Sequence, residues 1–81
     1  MASTPRVRFF YGRECSLCER ARGVLDAVGE PYEAIDITAV TELEQRYREW
    51  LPVVEIDGER AFVYYVDEAS LRRKLSQSKG L

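Results

Sequence analysis

Between Val7 and Gly29 the hydrophobic pattern changes once, from that of a strand to that of a helix, with only four residues between the two. Val7-Arg8-Phe9-Phe10-Tyr11 combines β-branched and aromatic residues over strand length and stops at Gly12, the pattern of a largely buried strand. From Ser16 onward Leu17, Ala21, Val24, Leu25 and Val28 recur at helical spacing, Glu19, Arg20, Arg22 and Asp26 face elsewhere, and Gly29 supplies a stop. A strand passing so directly into an amphipathic helix is the opening of an α/β domain.

The remaining elements follow from the same signals. After Pro31, Tyr32 to Ile37 reads as a second strand. Thr41 with Glu44 forms a capping-box pattern, and Leu43, Tyr47 and Trp50 lie along one face of a second helix that Pro52 ends. Val53-Val54-Glu55-Ile56 and Ala61-Phe62-Val63-Tyr64-Tyr65 flank Asp57-Gly58, a hairpin turn in which glycine accepts positive φ. Asp67 is placed to cap a last helix with Ala69, Leu71 and Leu75 on its apolar side, ending at Gly80. The order β-α-β-α-β-β-α is α/β. It predicts a three-layer α/β/α sandwich on a mixed four-stranded sheet, with parallel pairing of the crossover-connected strands before the closing hairpin. At 81 residues there is room for one domain, read as residues 7–80 after a loose N-terminal stretch, 1–6.

Composition narrows the chemistry. Twelve lysines and arginines against 14 acids leave a net charge of −2, so no positive excess exists for a phosphate backbone, and nucleic acid is not an expected partner. The absence of histidine removes Ser-His-Asp and Cys-His nucleophile pairs and imidazole metal ligands. Apolar runs too short to span a bilayer and the lack of a hydrophobic leader predict no membrane partner and a cytoplasmic protein.

Cysteine and carboxylate chemistry remain, and the two cysteines occur together in Cys15-Ser16-Leu17-Cys18 at the strand-to-helix junction. Unpaired N–H groups and the positive dipole end of a helix start favour an anion, which makes Cys15 the candidate nucleophile with a lowered pKa. Cys18, three positions on and one turn deeper, is the candidate resolving thiol. Arg13 supports the thiolate, while Glu14 and Glu19 oppose it. Two other readings compete. A structural disulfide across so short a loop adds little stability. A metal or iron–sulfur carrier needs ligands from outside the pair, because two thiolates are half of a tetrahedral shell. Tyr11, Trp50, Tyr64 and Tyr65 are read as core rather than as a substrate groove.

The strand end Phe10-Tyr11-Gly12-Arg13, the Cys15–Cys18 motif opening a helix, and Leu51-Pro52-Val53-Val54-Glu55-Ile56-Asp57-Gly58 together resemble the glutaredoxin-like branch of the thioredoxin superfamily over nearly the whole chain. The resemblance implies a thioredoxin-like fold and thiol–disulfide exchange through Cys15 and Cys18. It makes Pro52 the family's cis-proline, and leaves the backbone of Leu51 open to an extended substrate. Arg13 matches the basic residue that meets a glutathione carboxylate, and Asp67 stands where the last helix can meet an amide or cationic group. One feature departs from the family. Phe62-Val63-Tyr64-Tyr65-Val66 replaces the Gly-Gly pair of glutathione-binding members, and bulky side chains oppose the close backbone approach of a ligand. No cofactor is therefore expected, and glutathione is disfavoured as a co-substrate. The expected partners are a disulfide-bearing protein or small thiol substrate, with a reductant that is glutathione or a thioredoxin-reductase-type enzyme. The protein is expected to act as a monomer.

Overall fold

In the computed structural model, which describes residues 5–13 and 15–78, the elements follow in the expected order. They are β1 (Val7–Tyr11), α1 (Ser16–Val28), β2 (Tyr32–Asp36), a 3-10 turn at Ile37–Ala39, α2 (Thr41–Tyr47), β3 (Val53–Ile56), β4 (Glu59–Val63) and α3 (Glu68–Ser78). Gly80, read as the end of the last helix, and Glu14, read as opposing the thiolate, lie outside the described residues.

The strands form one mixed sheet in the order β2-β1-β3-β4. β1 pairs parallel with β2, Phe9 opposite Ala34, and antiparallel with β3, Phe9 opposite Val54. Parallel pairing thus holds for β1 and β2 but stops at β3. The segment carrying α2 begins and ends at the same end of the sheet, so it makes no full crossover. The consequence is positional: Pro52, just ahead of β3, comes to the carboxyl end of β1, where α1 also begins.

Strand alternation divides the interior in two. Val7, Phe9, Val54 and Ile56 point to one face and pack with Cys18, Ala21 and Leu25 of α1 and Leu71 and Leu75 of α3. Phe10 and Val53 point to the other face and pack with Ile37 and Tyr47. The Phe10 and Tyr47 rings lie 4.8 Å apart, and the Tyr47 hydroxyl donates to Glu55 Oε2 at 3.1 Å. N-terminal to β1, Arg6 ties the first strand to the rest of the domain. Its carbonyl accepts the Asp57 N–H at 2.8 Å, and its guanidinium reaches the Leu75 carbonyl at 3.2 Å.

Five element boundaries differ from the sequence reading. The second strand ends at Asp36, whose Oδ1 accepts the Thr38 N–H at 2.9 Å and turns Ile37 into a 3-10 turn. Thr41 is the first residue of α2 and not its cap; Val40 occupies that place without a side-chain hydrogen bond. α2 ends at Tyr47, well before Pro52, and Trp50 falls in the following turn, 37% exposed. The last strand starts at Glu59 because Asp57 and Gly58, at φ 54° and 83°, make a two-residue turn that sets Glu59 directly opposite Ile56. A bulge between Val54 and Glu55 then leaves Ala61 without a partner, and the strand ends at Val63. On α3 the buried positions are Leu71 and Leu75, whereas Ala69 is exposed, so it lies off the apolar side.

Candidate active site

Cys15 occupies the N-cap of α1 with extended backbone, φ −120° and ψ 102°, and its Sγ accepts the Cys18 N–H at 3.1 Å. One of the unpaired amides of the helix start is therefore aimed at this sulfur, where the dipole also favours negative charge. Cys15 is half-buried, and Cys18 is 4% exposed among the residues of the α1–α3 core. The two are joined as a disulfide with Cα atoms 5.2 Å apart, inside the span such a bond requires. A thiolate at Cys15 has a hydrogen-bond donor ready, and a second thiol lies directly behind it.

The loop before β3 reaches the same place. The Leu51–Pro52 bond is cis, Pro52 is buried, and its carbonyl accepts the Tyr64 N–H at 2.9 Å, which fastens this loop to the one after β4. Leu51 is half-buried and packs against both core clusters. Its N–H and C=O form no hydrogen bond to another described residue. Leu51 also touches the exit of β1, because a Cβ built on Gly12 would lie 2.6 Å from Leu51 Cδ1. Only glycine permits that approach without displacing the leucine.

Asp67 closes the arrangement from the third side. Its Oδ2 accepts the Ser70 N–H at 2.8 Å, as a cap of α3 should, and that bond, with a further one from the Ser70 hydroxyl, holds its carboxyl below the usual range. Asp67 shares an open groove with Leu17 of the cysteine motif, Arg20, Tyr64 and Tyr65. Arg13 is exposed in the turn between β1 and α1, and its charge acts on Asp36 at the end of β2, a carboxyl lowered chiefly by its hydrogen bonds to Thr38. Cys15 and Cys18 thus stand at the start of α1, Leu51 reaches it through Gly12, Pro52 follows Leu51, Asp67 shares the Leu17 groove, and Arg13 lies exposed in the turn between β1 and α1.

The aromatic residues divide. Tyr11 packs against the core, but Tyr64 and Tyr65 are 50% and 64% exposed, so the core reading of those two and of Trp50 is corrected. β4 ends before Tyr64 and Tyr65, and both line an open groove beside α1. Tyr64 also takes φ 68°, a left-handed conformation uncommon for a tyrosine. Arg22 was placed away from the apolar face, yet it is half-buried, with its guanidinium carbon 5.4 Å from the Phe9 ring centre and 5.2 Å from that of Tyr11. Its position four residues after Cys18 was the available signal, since that spacing keeps the same helix face. Gly12 carried no comparable signal, because its neighbour Leu51 is distant in sequence.

Solved structures share this architecture and assign it to the thioredoxin-like α/β proteins. A structural-genomics target protein from X. campestris superposes with a TM-score of 0.77 at 22% identity, covering 88% of this chain and 96% of that one. A glutaredoxin from Archaeoglobus fulgidus gives 0.66 at 18% identity over 88% and 86% of the two chains. A buckwheat glutaredoxin–glutathione complex gives 0.60 at 20% identity over 93% and 72%. Within that class the chain belongs to the glutaredoxin-like domain family (DUF836), whose model matches residues 6–76. No curated protein matches the sequence.

Proposed function

We propose that the protein is a dithiol–disulfide oxidoreductase of glutaredoxin-like type that reduces protein or low-molecular-weight disulfides in the cytoplasm. The observation that carries this reading is the Cys18 N–H aimed at Cys15 Sγ from the first turn of α1, with Cys18 buried beneath it. Cys15 as thiolate attacks one sulfur of the substrate disulfide; a Cys15–substrate bond forms, and the other substrate sulfur leaves as a thiolate and takes up a proton. Cys18 then loses its proton and attacks Cys15 Sγ. The Cys15–Cys18 bond forms, the substrate is released as its second thiol, and two electrons have passed from the cysteine pair to the substrate.

An extended substrate segment fits beside Leu51, whose backbone groups are not engaged by other described residues, with Asp67 and the Leu17 groove on its other side. Arg13 is assigned to a substrate carboxylate. Tyr64 and Tyr65 stand where a close backbone approach would be needed for glutathione, which favours protein disulfides as substrates. The oxidised protein is returned to the dithiol by glutathione or by a thioredoxin-reductase-type enzyme.

The test is a redox titration in glutathione buffers of defined ratio, with free thiols alkylated and counted by mass. A reversible two-thiol transition between about −150 and −300 mV is expected. Cys15→Ser abolishes exchange, and Cys18→Ser accumulates mixed disulfide. Undiminished exchange in Cys15→Ser, or a pair that never changes state, overturns the reading.

A further inference from the structure

Cys18 faces an electrostatic difficulty that Cys15 does not. It is 4% exposed, and burial disfavours a thiolate. Its own N–H is given to Cys15 Sγ, so the helix start serves the outer sulfur first. Yet resolution of a mixed disulfide requires Cys18 to ionise, since the thiolate is the attacking species.

Arg22 lies one helical turn beyond Cys18 on the same side of α1. Together with Glu19 it lines a cavity of about 200 Å³ that also opens onto Tyr11, Gly12, Cys15 and Cys18. The guanidinium rests over the stacked rings of Phe9 and Tyr11, whose centres are 5.6 Å apart. A planar, weakly hydrated cation is well held in such a place. Among the described residues no carboxylate forms an ion pair with it; its polar neighbour is the Tyr32 hydroxyl. The nearby Asp26 is engaged by the Tyr32 hydroxyl at 2.8 Å.

We infer that Arg22 is a positioning residue for the resolving step: its guanidinium, fixed over Phe9 and Tyr11, favours the Cys18 thiolate inside the cavity the two share. This rests on the oxidoreductase reading above. The groups facing the cavity from each packed element are few. Glu19, on α1, opposes the thiolate; Tyr11, from β1, lines the cavity with its ring against Arg22; and Tyr32, from β2, acts on Arg22 while donating to Asp26. Val54 of β3, Leu71 of α3 and Val66 in the loop before it, which share the core cluster with Cys18, carry no charge. Arg20 lines the opposite groove with Leu17. Among the described residues that line the cavity, Arg22 is the cation that can offset burial. In the step itself the Cys18 thiol releases its proton to solvent entering the cavity and attacks Cys15 Sγ. The Cys15–substrate bond breaks, and the departing substrate thiolate takes up a proton.

The test uses the full chain carrying Cys15→Ser, in which the rate of Cys18 alkylation is followed against pH. With Arg22→Gln added, the midpoint moves up by about one pH unit. Arg22→Lys recovers part of the shift, and Glu19→Gln moves the midpoint down. A merely structural role gives the opposite sign, because loosened packing would expose Cys18 and lower its midpoint. In chains that retain both cysteines, Arg22→Gln also slows release from a preformed mixed disulfide about threefold at neutral pH, because the roughly tenfold loss of thiolate is partly offset by the greater nucleophilicity of a more basic thiol. An unshifted or lowered midpoint in Arg22→Gln overturns the inference even where the unsubstituted protein exchanges disulfides. Absence of exchange in the unsubstituted protein overturns the oxidoreductase reading, and the resolving step with it.

Discussion

The methyl group that Gly12 lacks would sit 2.6 Å from Cδ1 of Leu51, so the end of β1 and the residue before Pro52 are in contact through the absence of a side chain. This contact sets how closely the cis-proline loop approaches the start of α1. Gly12→Ala forces the leucine side chain aside, and overpacking of this kind costs about 1 kcal/mol when the displaced group is the flexible end of a side chain. Leu51→Ala in the same chain makes the room. Urea denaturation of the two single variants and the double variant is expected to show a coupling of about 1 kcal/mol, the double being more stable than the sum of the singles. Strict additivity would show that the two residues do not meet.

Tyr64 is held at φ 68°, a conformation that costs an L-residue about 1 to 2 kcal/mol relative to glycine. Glycine at an ordinary position destabilises through its unfolded-state entropy, but here relief of the backbone offsets that loss. Tyr64→Gly is therefore expected to keep or raise the urea midpoint, whereas Tyr65→Gly lowers it. If the tyrosines also block the close approach of small thiols, Tyr64→Gly reacts faster with glutathione disulfide, as read by the rate at which the glutathione mass is added. Equal rates would remove Tyr64 from the account of specificity.

Two buried contacts hold the sheet faces that position the site. Leu71, fully buried on α3 against β1 and β3, is expected to cost 2 to 5 kcal/mol on change to alanine, about the range for a leucine cavity. On the opposite face Tyr47→Phe removes only the hydroxyl that donates to Glu55, and about 1 kcal/mol is expected. Chemical denaturation gives both values. A larger loss for Tyr47→Phe than for Leu71→Ala would reverse the assignment of which face carries the stability.

Asp67 gives the fold an acid-side pH dependence. The Ser70 N–H, and after it the Ser70 hydroxyl, lower the folded-state pKa, so the contribution is present above the unfolded value near 4 and is lost as pH falls through the folded value. Asp67→Asn keeps an acceptor for the cap but does not titrate. Thermal midpoints measured from neutral pH downward are expected to fall more steeply in the unsubstituted protein than in the variant once the pH drops below about 4. Parallel curves would mean that the cap does not depend on charge.

The elements that could be read from the chain are those whose causes lie within a few residues. The aromatic and β-branched run of β1, the helical period from Leu17 to Val28, the Asp57-Gly58 turn and the Asp67 cap each carry their own physical reason, and each appears in the structure. The cysteine pair was legible for the same reason, since three positions at a helix start bring two sulfurs together without help from the rest of the fold. Local signals failed elsewhere: Val40 and not Thr41 stands at the N-cap of α2, and α2 ends at Tyr47, whose ring packs on Phe10.

The loops that surround the cysteine pair are brought to it by residues distant in sequence. β3 runs antiparallel to β1, which carries Leu51 and Pro52 to Gly12, and Tyr64 is fastened to the Pro52 carbonyl. Arg22, charged and placed by pattern among solvent-facing positions, rests on the rings of Phe9 and Tyr11, where the sheet beneath α1 offers two aromatic faces and no carboxylate among the described residues forms an ion pair with it. Hydrophobic period and turn chemistry act along the chain, and so the order of elements was contained in it. Glu19 and Arg22 share the helix of Cys18, but that the guanidinium rests on Phe9 and Tyr11 is decided only where α1 meets the sheet, because those rings come from a strand that the helix covers in space.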